Sequence, residues 1–319
     1  MASRDGNGWV RCALGHRHWG RYGAAGLLAY VADGPVLLQR RTWWSHHGGT
    51  WGLPGGARDS HESAVAAALR EAAEECGVPP GAVRKRGEFL DDHGGWSYTT
   101  VLAEADTPFP VQSDEDETDE VAWVALPEVA ALDLHPGLAA HWAELQSELA
   151  PVTIIVDGAN VVGSRPDGWW RDRAGAALRL RDQLAPLVTD GITELPSGVK
   201  APGVAADRLI GAGAAGASGG GPAEPNLKIA GMADGQIRMR WMPDVVLVVE
   251  GAAKPAAAQA DAGPVRVVAA KGSGDDTIAA LAGQTAGRRI VVTADRELRQ
   301  RSLAAGASVA GPSWLLGLL

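Results

Sequence analysis

The stretch GLPGGARDSHESAVAAALREAAEECGVPP, Gly52 to Pro80, constrains this chain more than any other. Asp59 followed three residues later by Glu62 has the form of a capping box and predicts a helix starting there. Gly77, with Pro79 and Pro80 close behind, stops it. At about 100° per residue, Val65, Leu69, Ala72 and Cys76 share one narrow stripe, which predicts the buried face. Glu71, Glu74 and Glu75 fall on the other side, at i, i+3 and i+4. Like charges at that spacing cost about 0.2–0.5 kcal/mol per pair. A bound divalent cation that prefers hard oxygen donors turns the repulsion into coordination. Taken alone, three glutamates on a helix can also be a solvated acidic face.

The surrounding spacing separates the two readings. The run is Gly56, five residues, Glu62, seven residues, Arg70-Glu71-Ala72, one residue, Glu74-Glu75, one residue, Gly77-Val78. It resembles the Nudix box, with every charged and glycine position of that motif filled. Ala72 departs from it, standing where the family prefers a larger aliphatic. The resemblance implies an α/β/α sandwich with a mixed sheet that hydrolyses a nucleoside diphosphate linked to another moiety, with Mg²⁺ (or Mn²⁺) as cofactor. Carried over by position, Glu74 and Glu75 ligate metal, and Glu71 is a ligand or orients the attacking water. Gly55 or Gly56 offers a backbone carbonyl, and Arg70 and Glu62 form the pair that holds the helix to its loop. Glu117, in the acidic run ahead of Trp123, is the implied base or extra ligand. The implied chemistry is attack of water at phosphorus, with metal neutralising charge.

Just upstream, RRTWWSHHGGTWGLPGG places aromatic, basic and imidazole groups together. His46 and His47 are candidates for phosphate contact, and Trp43, Trp44 or Trp51 for stacking on a base. The alternatives are polar loop surface for the histidines and core filling for the tryptophans. Cys12, His16 and His18 supply three metal donors, one short of a structural zinc site, so these residues alone do not define one.

Length and composition fit two domains of ordinary size: 319 residues, 46% hydrophobic and 21% charged. No apolar run approaches the roughly 20 residues needed to cross a bilayer. The N-terminal stretch lacks an apolar core of the secretory type, and two cysteines give no disulfide framework, so a cytoplasmic location is expected. Residues 1–150 carry 11 Lys+Arg against 22 Asp+Glu, a net of −11, and residues 151–319 carry 18 against 16, a net of +2. Neither half is basic enough for tight nonspecific binding to long nucleic acid. Nothing in the sequence specifies an oligomeric state.

A domain junction is expected near Ala150, dividing the chain into 1–150 and 151–319. The Gly/Ala-rich region at about 191–235, with GAGAAGASGGGPAEP at its centre, is expected to be a mobile insertion. Beyond the junction, VTIIVDG ends at Asp157, DVVLVVEG at Glu250 and IVVTADREL at Asp295, while Asp275 and Asp276 open the pattern DDTIAALAG. An Ala/Leu/Arg helix is expected to begin near Asp167. Strands alternating with helices imply an α/β domain with a mostly parallel sheet, whose ligands sit beyond the C-terminal strand ends. Each acid alone can be a simple cap. Four gathered at one edge would raise one another's pKa values, which a divalent metal relieves.

The order VDGANVVGS, VVEG, GSGDDTI, VVTADREL resembles the NYN/YacP-like branch of PIN-domain ribonucleases. It implies metal-dependent cleavage of RNA, with Asp157, Asp275 or Asp276, and Asp295 as candidate ligands. Asn160 would orient Asp157 or bind phosphate, and Glu250 stands where relatives often carry Asp. Arg165, Arg171 and Arg173 are candidate phosphate contacts, and Trp169 and Trp170 candidate stacking surfaces or helix anchors. The combined expectation is a Nudix hydrolase fused to a PIN-like ribonuclease. The rivals are a nucleotide-sensing Nudix fold that regulates the second half, and a non-catalytic RNA-binding or structural module in that half.

Overall fold

The computed structural model describes residues 4–113, 118–166, 168–199, 235–259 and 263–319. Glu117, Asp167 and most of the Gly/Ala-rich region lie outside them. The chain divides into two units, with the main division between Ser147 and Glu148. No described helix is long and apolar enough to cross a membrane.

The first unit is built around β3 (Ala24–Val31), whose run AAGLLAYV is buried at six of its eight positions. Burial on both faces requires cover on both sides, and the sheet is mixed. β3 pairs in parallel with β8 (Ser97–Ala105) from Ala24↔Tyr98 to Val31↔Ala105. It pairs antiparallel with β4 (Pro35–Arg41) and with the short β6 (Gly55–Ala57). β4 in turn pairs antiparallel with β9 (Thr118–Ala125) and with β5 (Trp51–Gly52). β7 (Arg84–Asp92) lies beside β8. Ahead of the sheet, β1 (Trp9–Arg11) and β2 (Arg17–Trp19) form an antiparallel hairpin. α2 (Leu126–Val129) and α3 (Pro136–Glu148) follow β9.

Helix α1 runs Ala64–Cys76, so it starts later than the capping-box spacing suggested. Ser63 is the N-cap and accepts from the Ala66 amide, while Glu62 instead accepts from the Asp59 amide and closes the loop ahead of the helix. The stop is at Gly77, whose φ of 66° is the left-handed conformation that glycine adopts without penalty. The buried stripe is rotated from the expected one. Ala67, Ala68, Ala72 and Cys76 pack on Ala25, Leu27, Ala29 and Leu37, whereas Leu69 is 40% exposed. Small alanines let the helix lie close to the sheet, which leaves no room for Leu69 beneath it. Glu75 turns inward with the alanines and is only 7% exposed.

The second unit has a fully parallel five-stranded sheet in the order β13-β12-β10-β14-β15. The strands are β10 (Val152–Asp157), β12 (Asp244–Val249), β13 (Val265–Ala269), β14 (Arg288–Val292) and β15 (Ser308–Ala310); β11 (Gln236–Trp241) straddles the division between the units. Alternation along β10 sorts its two faces. Ile154 and Val156 meet Leu180, Leu184 and Leu187 of α5 (Arg173–Thr189). Ile155 meets Ile278 and Ala282 of α7 (Gly274–Gln284) and Leu298 of α8 (Arg296–Ala304). α6 (Pro255–Gln259) and α9 (Pro312–Leu316) complete the unit. The Ala/Leu/Arg helix begins at Arg173, capped by Asp172, rather than near Asp167. The intervening chain forms α4 (Gly158–Gly163) and a single 3₁₀ turn at Trp169–Arg171, because the Asp157 carboxylate caps a helix immediately after its strand.

Candidate active site

In the first unit the loop from β5 to β6 brings backbone to the carboxylates of α1. Glu75 Oε2 accepts from the Gly55 amide at 2.8 Å and from Gln39 Nε2 at 2.9 Å. Gly55 has no alternative: a Cβ there would sit 2.4 Å from the Ala25 carbonyl oxygen and 2.5 Å from Gly26 Cα. Burial, aided by the neighbouring Glu71, pushes the Glu75 carboxyl up to about 7. The Glu71 carboxyl is raised by burial too, despite its pairing with Arg70. Glu74 is the outermost of the three, with 41% of its side chain exposed and Arg4 at 3.1 Å.

One guanidinium organises this group. Arg70 Nε and Nη2 grip Glu62 at 2.7 and 2.9 Å, Nη2 reaches the Ala57 carbonyl at 3.2 Å, and Nη1 meets Glu71 at 2.8 Å and Glu74 at 3.3 Å. The bidentate contact holds Glu62 below the ordinary carboxylate range. Arg70 therefore fixes the helix to the loop carrying Gly55 and Gly56. It makes no hydrogen bond to Glu75, the most buried acid of the group. Two raised carboxylates, Glu75 with no ion-pair partner among the described residues and Glu71 sharing Arg70 with Glu62 and Glu74, plus Glu74 at the surface, form a hard-oxygen donor set that fits Mg²⁺ or Mn²⁺. Gly55 reaches this set through its amide, bonded to Glu75; Gly56 Cα lies against Glu71, where an added Cβ would come within 2.6 Å of Oε1.

A cavity of about 500 Å³ has Gly55 and Gly56 in its lining. Trp9, Trp19 and Trp96 line it, with Arg17 and Arg41 as its cations and Tyr98 on its floor. Trp9 and Trp19 meet edge to face at 5.4 Å, and the Arg17 guanidinium lies 4.5 Å over the Trp9 ring. His46, His47 and His135 share the wall; burial lowers all three, His135 to about 4, so they are neutral at pH 7. The stacking candidates drawn from the sequence do not line the cavity. Trp43 and Trp44 are 80% and 60% exposed in the turn after β4, and Trp51 is held in β5. The aromatic wall comes instead from the β1–β2 hairpin and from Trp96. The alternation of Arg17, His18 and Trp19, with Arg17 and Trp19 on one side of a short strand, is the sequence signal for it.

The NUDIX domain model matches residues 20–145. Over 160 residues the chain is 48% identical to the putative 8-oxo-dGTP diphosphatase 3 of Mycobacterium tuberculosis, spanning 47% of this chain and 72% of that protein. The chain belongs to the Nudix family. The Nudix region is also 38% identical over 154 residues to a nucleoside triphosphate pyrophosphatase/Nudix hydrolase fusion protein of Bifidobacterium longum, covering 46% of this chain and 32% of that one. The crystal structure of the Nudix hydrolase RenU from M. smegmatis shares 46% identity, spans 44% of this chain and 93% of its own, and superposes with a TM-score of 0.41.

In the second unit, the C-terminal edge of the parallel sheet gathers acids at its switch point, where β10 has β12 on one side and β14 on the other. Asp157 Oδ2 accepts from Thr293 Oγ1 at 2.8 Å and Oδ1 from the Asn160 amide at 3.0 Å. Its carboxyl is raised by burial and by the charges of Asp275 and Glu250. Asp275 is raised by burial and then by Asp295 and Glu250. Asp276 points elsewhere, pairing with Arg301 at 2.6 Å. Glu250 accepts from the Gly274 amide at 2.7 Å, and Asp295 caps α8. Asn160 does not touch Asp157 with its side chain; its Oδ1 accepts from the Ala294 amide at 2.9 Å and pins the loop after β14. Arg165 is bonded to Gln183, Arg173 lies over the Trp169 ring at 5.3 Å, and Arg171 is exposed. Trp170 is 57% exposed, while Trp169 packs against the core.

Proposed function

We propose that the first unit, residues 1 to about 150, hydrolyses a phosphoric anhydride of a nucleoside triphosphate, releasing a nucleotide and a phosphorylated product. The observation that carries this is that Gly55 and Gly56, which meet Glu75 and Glu71, also line the aromatic cavity. The Trp9, Trp19 and Trp96 wall suits a purine base, and Arg17 and Arg41 suit phosphates. The relative from M. tuberculosis, named for 8-oxo-dGTP, makes oxidised purine triphosphates the first substrates to test.

Bound Mg²⁺ would neutralise phosphate charge and lower the pKa of the attacking water. The chain's own part is positional. The Gly55 amide and Gln39 aim the Glu75 carboxylate. Arg70 fixes Glu71 and Glu74 relative to the loop, and the neutral histidines leave the phosphate charge to Arg17, Arg41 and the metal. Glu71, Glu74 and Glu75 are the ligands this reading assigns, with Gly55 or Gly56 contributing backbone.

The test is Mg²⁺-dependent product release across a nucleotide panel that includes 8-oxo-dGTP, with full-length wild type and Glu75→Gln in parallel. Turnover lost by orders of magnitude in a folded Glu75→Gln protein supports hydrolysis. Saturable binding without turnover under Mg²⁺ or Mn²⁺ overturns it in favour of nucleotide sensing.

For the second unit, residues 151–319, we propose a PIN-like, metal-dependent ribonuclease. The raised Asp157 and Asp275 carboxyls, with Glu250 and Asp295 beside them at the switch point of a parallel sheet, favour it. Since Asp276 is taken by Arg301, Asp275 is the better ligand of the two. Full-length wild type and Asp157→Asn compared on single-stranded RNA check this. Equal cleavage by both would remove the assignment.

A further inference from the structure

We infer that the first unit holds a zinc ion in a second, structural site formed by Cys12, His16, His18 and His93. The β1–β2 hairpin supplies three donors in the spacing Cys-x3-His-x-His, and the turn between β7 and β8 supplies the fourth from 75 residues further along the chain. One ligand atom from each side chain lies within 4.8 Å of all the others, and Cys12 Sγ is 4.0 Å from His93 Nδ1. A tetrahedral zinc with bonds of roughly 2.0–2.3 Å separates its ligands by about 3.3–3.8 Å, so small side-chain rotations close the shell.

The hydrogen bonding singles out the atoms. His93 Nε2 meets Asp91 Oδ2 at 2.9 Å, which places the proton on Nε2 and turns the Nδ1 lone pair toward Cys12. His16 Nδ1 and His18 Nε2 are both buried without a hydrogen-bond partner. His18 as a whole is 9% exposed, and Trp96 stacks flat on its ring at 3.8 Å, fixing its direction. Two buried ring nitrogens left unpaired cost stability, and a cation held by them together with Cys12 Sγ and His93 Nδ1 supplies the missing partner.

The donor set names the ion. Three imidazoles and one thiolate suit borderline zinc and are poor ligands for Mg²⁺, so this site does not compete with the glutamates for their metal. Binding releases the Cys12 thiol proton to solvent, and Asp91 behind His93 balances the remaining charge. Four protein ligands leave no open position, which makes the ion a clamp rather than a catalyst. It clamps the hairpin bearing Trp9 and Trp19 to the turn bearing Trp96, joining the parts of the cavity's aromatic wall.

The test is metal analysis of full-length protein purified under reductant in zinc-free buffer. Roughly one zinc per chain is expected in wild type and in Glu75→Gln, falling at least tenfold in Cys12→Ser and in His93→Ala. Cobalt-substituted wild type should show tetrahedral d–d bands with thiolate-to-metal charge transfer, the latter absent in Cys12→Ser. Wild-type protein that takes up neither zinc nor cobalt on reconstitution overturns the inference. So does zinc that stays in both ligand variants or leaves only with Glu75→Gln.

Discussion

Glu75→Gln should stabilise the Mg²⁺-free first unit at alkaline pH while disabling it as an enzyme. The folded Glu75 carboxyl sits near 7 against an ordinary 4.5, a displacement driven by burial at a site only 7% exposed. The folded state then binds this proton more tightly than the unfolded state does. The contribution is therefore fully present below pH 4.5 and is lost as pH rises through 7. At about 1.4 kcal/mol per pKa unit, the charged carboxylate costs the metal-free fold on the order of 3 kcal/mol at pH 8. Glutamine mimics the protonated acid and can accept the same bonds from Gly55 and Gln39, although its extra N–H lacks an evident partner. A net gain of about 1–3 kcal/mol at pH 8 is expected, shrinking toward zero at pH 5. Urea unfolding at both pH values, followed by hydrogen exchange of the α1 amides to isolate this unit, measures it. Saturating Mg²⁺ should reverse the order, because only wild type gains ligand-binding free energy. A variant no more stable than wild type at pH 8, or a gain of equal size at pH 5, would refute the reasoning.

Arg70→Met removes the shared partner of Glu62, Glu71 and Glu74; with a quarter of the Arg70 side chain exposed, the expected loss is about 2–3 kcal/mol, read by denaturant midpoint at constant slope. Gly55→Ala drives a Cβ into the Ala25 carbonyl and should cost about 1–3 kcal/mol while weakening Mg²⁺ binding, measurable by calorimetry. Thr293→Val, at a fully buried position, strips a donor from Asp157 and an acceptor from the Asp295 amide. A stability loss of about 1–3 kcal/mol confined to the second unit is expected by hydrogen exchange.

What was legible in the sequence follows physical range. The α1 stop, the strand–helix alternation and the acids at strand ends are written in neighbouring residues, and they stand in the structure where local chemistry put them. The rotation of α1 was not legible, since stripe counting ranks Leu69 above alanine and cannot know that the β3 face demands close approach. Nor was the start of α5, because Asp157 caps a short helix that no hydrophobic period reveals. The aromatic wall was missed for a different reason. Trp43 and Trp44 lie beside the glutamate motif in sequence, whereas Trp9, Trp19 and Trp96 reach the cavity only through tertiary pairing. His93 is the same case: Cys12, His16 and His18 form an incomplete set until β7 and β8 fold.

The partners of the glutamates explain how one helix can carry both a structural and a functional charge. Arg70 satisfies Glu62 fully and Glu71 and Glu74 in part. Glu75, deeper than any of them, is given only neutral donors: the Gly55 amide and a Gln39 side chain that Thr118 Oγ1 fixes by a 2.8 Å bond to its own oxygen. Neutral donors fix direction without cancelling charge. A lysine or arginine in the place of Gln39 would stabilise the metal-free fold and lower the Glu75 pKa, but it would also occupy the field that a divalent cation needs. The chain thus leaves Glu75, the most buried of these four glutamates, without a cationic hydrogen-bond partner among the described residues, and the proposed divalent metal would relieve the instability this creates at neutral pH.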